Sequence, residues 1–223
     1  MPRTLYHLPL SAASRKFRVV LAEKGLPFEL KVEKTWERRP EFVVMNPACE
    51  VPVLVEEDGT AVADTLALTE YLEETYPERR LWPEDPKARL EARRLNAWFD
   101  VKFDREVGRM VGEEKLLRRY LGIGTPNSEA IRQGLTSLRQ HLAYVDWLAD
   151  QRKWLAGDEL TMADIAAATQ ISVIDYLGDV PWDGFPDAKA WYAKVKSRPS
   201  FRPVLSDYVP GLPPPRHYAN PDF

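Results

Sequence analysis

The chain reads as a small α/β domain followed by an all-helical domain, and three observations carry that reading. Up to Pro83 the hydrophobic pattern switches between the strand period of two and the helix period of about 3.6. The stretch "YPERRLWPEDP" then breaks both periods with Pro77, Pro83 and Pro86. Beyond it every long periodic segment is helical. The predicted boundaries are therefore 1–83 for the α/β domain, 87–207 for the helical domain and 208–223 for a proline-rich tail.

Taken in order, Leu5 opens a short strand, and Phe17, Val20 and Leu21 follow at helical spacing with Gly25 just past the helix end. Phe28, Leu30 and Val32 alternate with Glu29, Lys31 and Glu33, which predicts a half-buried strand. Val53–Val55 and Ala61–Ala63 flank "EEDG", where Asp58-Gly59 is a strong hairpin signal because glycine tolerates positive φ. Leu68, Tyr71, Leu72 and Tyr76 mark one helix face. The order is β-α-β, then β-β-α. After the break, Asp85-Pro86 opens a helix whose face carries Leu95, Trp98, Phe99, Phe103, Val107 and Met110. "TPNS" separates it from a second face of Ile131, Leu135, Leu138, Leu142 and Val145. "TMAD" is a capping-box variant, with Thr161 as N-cap and Asp164 at N3. It is a folding device without chemistry.

Composition narrows the function. A net charge of −3 gives no reason to expect nucleic acid or an anionic membrane surface. No run approaches the roughly 18 apolar residues of a membrane span, so no membrane insertion is expected. Cys49 is the sole cysteine, which excludes an intramolecular disulfide and fits a reducing compartment. No apolar leader follows Met1, and a cytoplasmic chain is expected. His7, His141 and His217 lack metal-ligand spacing, so no metal is expected.

Four short features have both a structural and a functional reading. Val51-Pro52, opening a strand, reads as a cis-proline turn that leaves the Val51 N–H and C=O for a ligand backbone, or as a plain edge-strand proline. Asp64-Thr65 precedes a helix, where it caps the free N–H groups or grips a zwitterionic amino-acid head. Ser11 and Ser14 open the first long helix. Ser11 serves there as N-cap or as the hydroxyl that stabilises a thiolate. No base lies near in sequence, so a catalytic triad is not indicated.

The element order, with "NPACEVPVL", "VADTLALTEYLEETYP", "LAGDELTMADIAAA" and "FPDAKAWYAKVKSRPSFRPVL", resembles the glutathione transferase superfamily almost to Asp207. The resemblance implies a thioredoxin-like first domain, a helical second domain and a homodimer. It implies that Val51-Pro52 pairs with the cysteinyl backbone of glutathione, that Asp64 and Thr65 hold its γ-glutamyl end, and that Ser11 is the catalytic, thiol-activating position. Three departures weaken that site. Glu50 stands where glutathione binders usually carry Lys or Gln, Asp64 is one methylene shorter than the usual Glu, and Cys49 replaces a small Gly. Two carboxylates about 4 Å apart repel by ~1 kcal/mol even in water. Any binding of glutathione is therefore expected to be weak, and no other cofactor is expected.

The tail "VPGLPPPRHYANPDF" adds a second theme. Pro213, Pro214 and Pro215 favour an extended conformation that holds out Tyr218, Asn220, Asp222 and Phe223 as a docking peptide, or else a strap on its own domain. Low apolar content predicts little contribution to the core. This ending resembles that of a bacterial branch of the family that binds the division protein FtsZ and modulates its filaments. Asn220-Pro221 departs from the acidic and apolar pair expected there. Trp36, in "EKTWERRP", matches a tryptophan of that branch and reads as a partner-facing anchor, or as a buried core residue. The leading expectation is a non-catalytic division regulator binding FtsZ through its surface and tail, with another division protein as a further partner of the tail. The alternatives are a glutathione transferase acting on small electrophiles through Ser11, and a binding module for some other protein.

Overall fold

The computed structural model describes residues 2–122 and 124–220. It divides into two compact units, Met1–Leu81 and Trp82–Phe223. In the first, β1 (Thr4–His7), α1 (Ala12–Lys24) and β2 (Glu29–Val32) form the predicted β-α-β. After α2 (Pro40–Met45) come β3 (Val53–Val55), β4 (Ala61–Ala63) and α3 (Thr65–Thr75). The sheet order is β2-β1-β3-β4, with β1 parallel to β2 and antiparallel to β3.

Local chemistry accounts for these elements. Gly25 closes α1 at φ 70°, and Gly59 turns the β3–β4 hairpin at φ 92°. Leu5, Phe17, Val20, Leu21, Val53, Leu54, Leu68 and Leu72 are fully buried, each worth about 1.5–3 kcal/mol of transfer free energy. The buried Arg3 guanidinium is satisfied by Glu56 at 2.7 Å and by the Tyr76 hydroxyl at 2.8 Å, which ties β1 to the end of α3. One expectation fails. β2 is exposed along its whole length rather than half-buried, with Leu30 45% and Val32 55% exposed. It lies at the sheet edge, and alternation in sequence does not reveal whether anything covers either face of an edge strand.

In the second unit, Asp85 caps α4 (Pro86–Ala97), accepting from the Ala88 N–H at 2.8 Å. The helix continues with wider, π-type turns over Trp98–Leu117 and then α5 (Arg118–Leu121). It packs on α6 (Ser128–Gln151), whose Leu138, His141, Leu142, Val145 and Leu148 are buried. Every residue of α7 (Met162–Tyr176) is buried, as expected of a helix that is apolar nearly all round. The capping box of Thr161 and Asp164 is formed. Asp164 also accepts from the Leu155 N–H at 2.8 Å and the Trp191 indole at 3.0 Å. Helices α8 (Pro186–Lys196) and α9 (Arg202–Leu205) complete the unit.

The tail corrects the sequence reading. Its described part is a strap on its own unit, and Tyr218, expected to face a partner, is fully buried. Its ring meets that of Tyr176 edge-on at 5.2 Å. The Tyr176 hydroxyl donates to the Leu212 carbonyl at 2.7 Å and accepts from the Val209 N–H at 2.9 Å. Low average apolarity misled here because one aromatic ring, delivered by three stiff prolines, buries as much surface as several small residues. Asn220 is exposed, while Asp222 and Phe223 lie outside the described residues.

Candidate functional site

The strand register collects the predicted site residues of the first unit at one end of the sheet. Tyr6 pairs with Val53, and Val53 pairs with Ala63, while His7 pairs with Val32. The C-terminal ends of β1, β2 and β4 and the start of β3 therefore share an edge. From that edge emerge the segments holding Ser11, Trp36, Glu50-Val51 and Asp64-Thr65.

Each segment is held in a defined way. The Val51-Pro52 peptide is cis, with Pro52 buried and Val51 half-buried. Among the described residues no hydrogen bond engages the Val51 backbone. Buried Asn46 braces the preceding turn, donating from Nδ2 to the Glu50 carbonyl at 2.9 Å and accepting from the Ala48 N–H at 3.2 Å. Cys49 points inward, its thiol 3.2 Å from the Thr35 carbonyl, whereas the Glu50 side chain is exposed. Asp64 caps α3, its Oδ1 accepting from the N–H groups of Leu66 at 2.8 Å and Ala67 at 3.1 Å. Ser11 caps α1 through the Ser14 N–H at 3.2 Å, and Ser14 in turn accepts from the Leu8 N–H at 3.3 Å. The capping roles of Ser11 and Asp64 are thus both realised. Trp36 is half-buried on a single 3-10 turn, Thr35–Glu37.

Sequence reasoning missed the backbone strain at this edge. Among the described residues the non-glycine positions with positive φ are Leu10 (63°), Arg38 (45°), Cys49 (59°) and Asp64 (77°). Leu10 precedes Ser11, Cys49 precedes Glu50, and Asp64 is itself a site residue. A left-handed conformation costs an L-residue roughly 1–2 kcal/mol, and such residues gather where a surface must be presented to a ligand. Only Cys49 gave a hint in advance, as a side chain where the family carries glycine.

The strap region of the second unit is a different arrangement of polar groups. Asp175, fully buried, accepts from the Trp182 indole at 2.8 Å and lies 3.0 Å from His217 Nε2. Lys196, also fully buried, donates to the His217 carbonyl at 3.1 Å. Burial pushes the Asp175 carboxyl up from its ordinary value, against the Trp182 hydrogen bond and the Lys196 charge. Burial pulls the Lys196 ammonium down to about 8, against the attraction of Asp175.

The fold and this sheet end define a class. The chain matches "Glutathione S-transferase, N-terminal domain" over residues 10–75 and "Glutathione S-transferase, C-terminal domain" over residues 123–199, and it belongs to the glutathione S-transferase family. Within that family it is 50% identical to FtsZ-localized protein A of Caulobacter vibrioides, over 99% of this chain and 98% of that protein. The solved structure of FzlA from C. crescentus superposes with a TM-score of 0.96 at 49% identity, covering 100% of both chains. That of a glutathione S-transferase from Rhodospirillum rubrum superposes at 0.97 with 55% identity, covering 99% of this chain and 100% of the other. No helix among the described residues is long and apolar enough to cross a membrane.

Proposed function

We propose that the protein is a cytoplasmic, homodimeric regulator of bacterial division that associates with FtsZ filaments and does not depend on glutathione turnover. The observation that carries this reading is 50% identity, sustained over 99% of the chain, to a protein named for its localisation with FtsZ. Trp36 at the sheet end supports it, because a half-exposed tryptophan is a frequent interface anchor. Asn220 is an exposed tail residue, followed in sequence by Asp222 and Phe223, and a further division protein is the natural reader of that end. The deciding experiment is co-sedimentation of the purified protein with polymerised FtsZ, with Trp36→Ala alongside. Wild-type protein pelleting with filaments, and the variant remaining in the supernatant with an unchanged melting temperature, is the expected result. Wild-type protein that stays in the supernatant sinks the reading.

A second reading, a glutathione transferase acting on small electrophiles, is favoured by the strained backbone beside Ser11, Glu50 and Asp64. Here Ser11 would stabilise the glutathione thiolate, Val51 would pair with its cysteinyl backbone, and Asp64 and Thr65 would hold the γ-glutamyl head. Titration calorimetry with glutathione, run beside turnover of a chlorodinitrobenzene-type substrate, separates the two. Saturable binding with turnover reverses their order.

A further inference from the structure

The open edge of the first unit's sheet is a surface that neither reading uses. β2 is the last strand of that sheet and is exposed along its whole length. Its parallel register with β1 decides which main-chain groups are engaged. Glu29 and Glu33 donate their N–H groups to the carbonyls of Arg3 at 2.8 Å and His7 at 2.9 Å, so the odd-numbered residues turn their backbone toward β1. Backbone groups alternate along a paired strand, and those of Phe28, Leu30 and Val32 therefore point out of the sheet. The same three residues carry the apolar side chains, with Leu30 45% and Val32 55% exposed and Phe28 half-buried. Glu29 and Lys31, both exposed, project from the other face, where the Lys31 Nζ lies 5.0 Å from the Tyr6 ring centroid. Pro27, whose carbonyl accepts from the Arg3 guanidinium at 3.1 Å, ends the strand on its N-terminal side.

Charges on an edge strand usually guard it against association. The order of the charges here does the reverse for one partner, a second copy of the chain. In an antiparallel pairing centred on Leu30, that residue meets Leu30 of the partner subunit, and Phe28 meets the partner's Val32. Glu29 meets the partner's Lys31, and the two-fold axis repeats each contact. The outward backbone groups then fall on the hydrogen-bonded positions of the ladder. Apolar side chains line one face and opposite charges the other, and both kinds of cross-strand pair are stabilising. Sliding by two residues sets Glu29 against the partner's Glu29, or Lys31 against the partner's Lys31. Sliding by one sets a charge against leucine. A single register satisfies the backbone, the apolar row and the charges together.

We propose that two copies of this chain join edge to edge through β2 across a two-fold axis, so that one sheet continues into the other. The inference rests on neither functional reading. With the homodimer proposed above formed through another face, this contact links dimers into tetramers and longer chains. So short a strand makes a weak contact in dilute solution, with a Kd on the order of 0.1 mM, and it strengthens where copies are held close together.

Charge reversal tests it. Sedimentation velocity of the full-length chain, over a concentration series spanning that Kd, should show association that rises with concentration. Lys31→Glu and, separately, Glu29→Lys should each weaken this step about tenfold, because each sets two like-charge pairs across the axis. An equimolar mixture of the two variants should restore it, and so should the double variant carrying both substitutions. A dimer formed through another face responds to none of these changes. Leu30→Cys should crosslink into a covalent dimer under copper–phenanthroline, because residues opposed in a hydrogen-bonded antiparallel pair stand about 5.5 Å apart at Cα, within disulfide range. Val44→Cys, at a position 84% exposed on α2, should stay at the baseline of the wild type, whose Cys49 is buried. The proposal is overturned if the wild type shows no association step that Lys31→Glu weakens, or if either the mixture or the double variant stays as weak as the single variants. It is equally overturned if Leu30→Cys crosslinks no faster than Val44→Cys.

Discussion

The sheet end of the first unit and the strap of the second are both built from loop residues, yet they treat polar groups and strain in opposite ways. At the sheet end the backbone is strained at Leu10, Cys49 and Asp64, and the carboxylates of Glu50 and Asp64 face solvent. Along the strap, Asp175, Lys196 and Tyr218 are buried, and the two charges are answered by His217, Trp182 and each other. Strain gathered at one end of a sheet, directly before Ser11, Glu50 and α3, is the mark of a surface kept for a ligand or partner. Charge retained in the core must be satisfied, which is the mark of a structural device. The contrast separates where this chain meets other molecules from where it holds itself together.

The comparison is broken most directly at Tyr218. Tyr218→Ala should cost about 3 kcal/mol as a fully buried aromatic truncation, and for a chain of this size lower the melting temperature by roughly 6–12 °C. Deleting His217 to Phe223 should cost at least as much. If thermal denaturation shows the deletion to be silent, the strap is not structural and the contrast fails. At the other region, Asp64→Ala removes the α3 cap and should cost about 1 kcal/mol in urea unfolding, while Asp64→Asn, which caps equally well and tolerates positive φ, should cost a few tenths. Equal losses in the two variants would mean that the charge, and not the cap, matters there.

Glu50→Gln sharpens the comparison on the ligand side. It should leave stability within about 0.5 kcal/mol, being an exposed substitution, and tighten any glutathione binding roughly fivefold by removing the like charge. Unchanged affinity by calorimetry would place Glu50 away from the ligand carboxylate.

The smallest effect concerns pH. The Trp98 indole donates to His141 Nδ1 at 2.9 Å, so His141 is held with its proton on Nε2, facing Glu106 at 3.1 Å. Burial pulls its pKa below the ordinary value, against the Glu106 hydrogen bond. The unfolded chain therefore binds more protons than the folded one in the window just below the usual histidine pKa, and stability falls as pH drops through it. His141→Gln should flatten that slope in urea titrations at a series of pH values.

How much of this was legible in the sequence follows from the range of each interaction. The Asp58-Gly59 hairpin, the Asp85-Pro86 helix start, the Thr161–Asp164 box and the Gly25 cap are set by residues within a few positions of one another, and all form as expected. Ser11 and Asp64 were legible as caps for the same reason. The burial of Tyr218 depends on Tyr176, a distant partner in the chain, and no local pattern announces it. The positive φ of Leu10 was equally hidden, because leucine does not advertise that conformation. The wide turns of Trp98–Leu117 bury Phe99, Phe103, Val107 and Val111 at four-residue steps, so Val111 takes the place that the helical stripe gave to half-buried Met110.

The strap also sets an order on synthesis. His217 meets Asp175 across 42 residues, so α7 leaves the ribosome well before the segment that covers it. Until that segment emerges, Tyr176 lacks its ring partner and Asp175 lacks one of its hydrogen-bond partners, in a helix otherwise destined for the interior. A nascent chain stalled before Pro213 presents an unfinished core, and a bulky fusion placed close after Ala219 works against its completion.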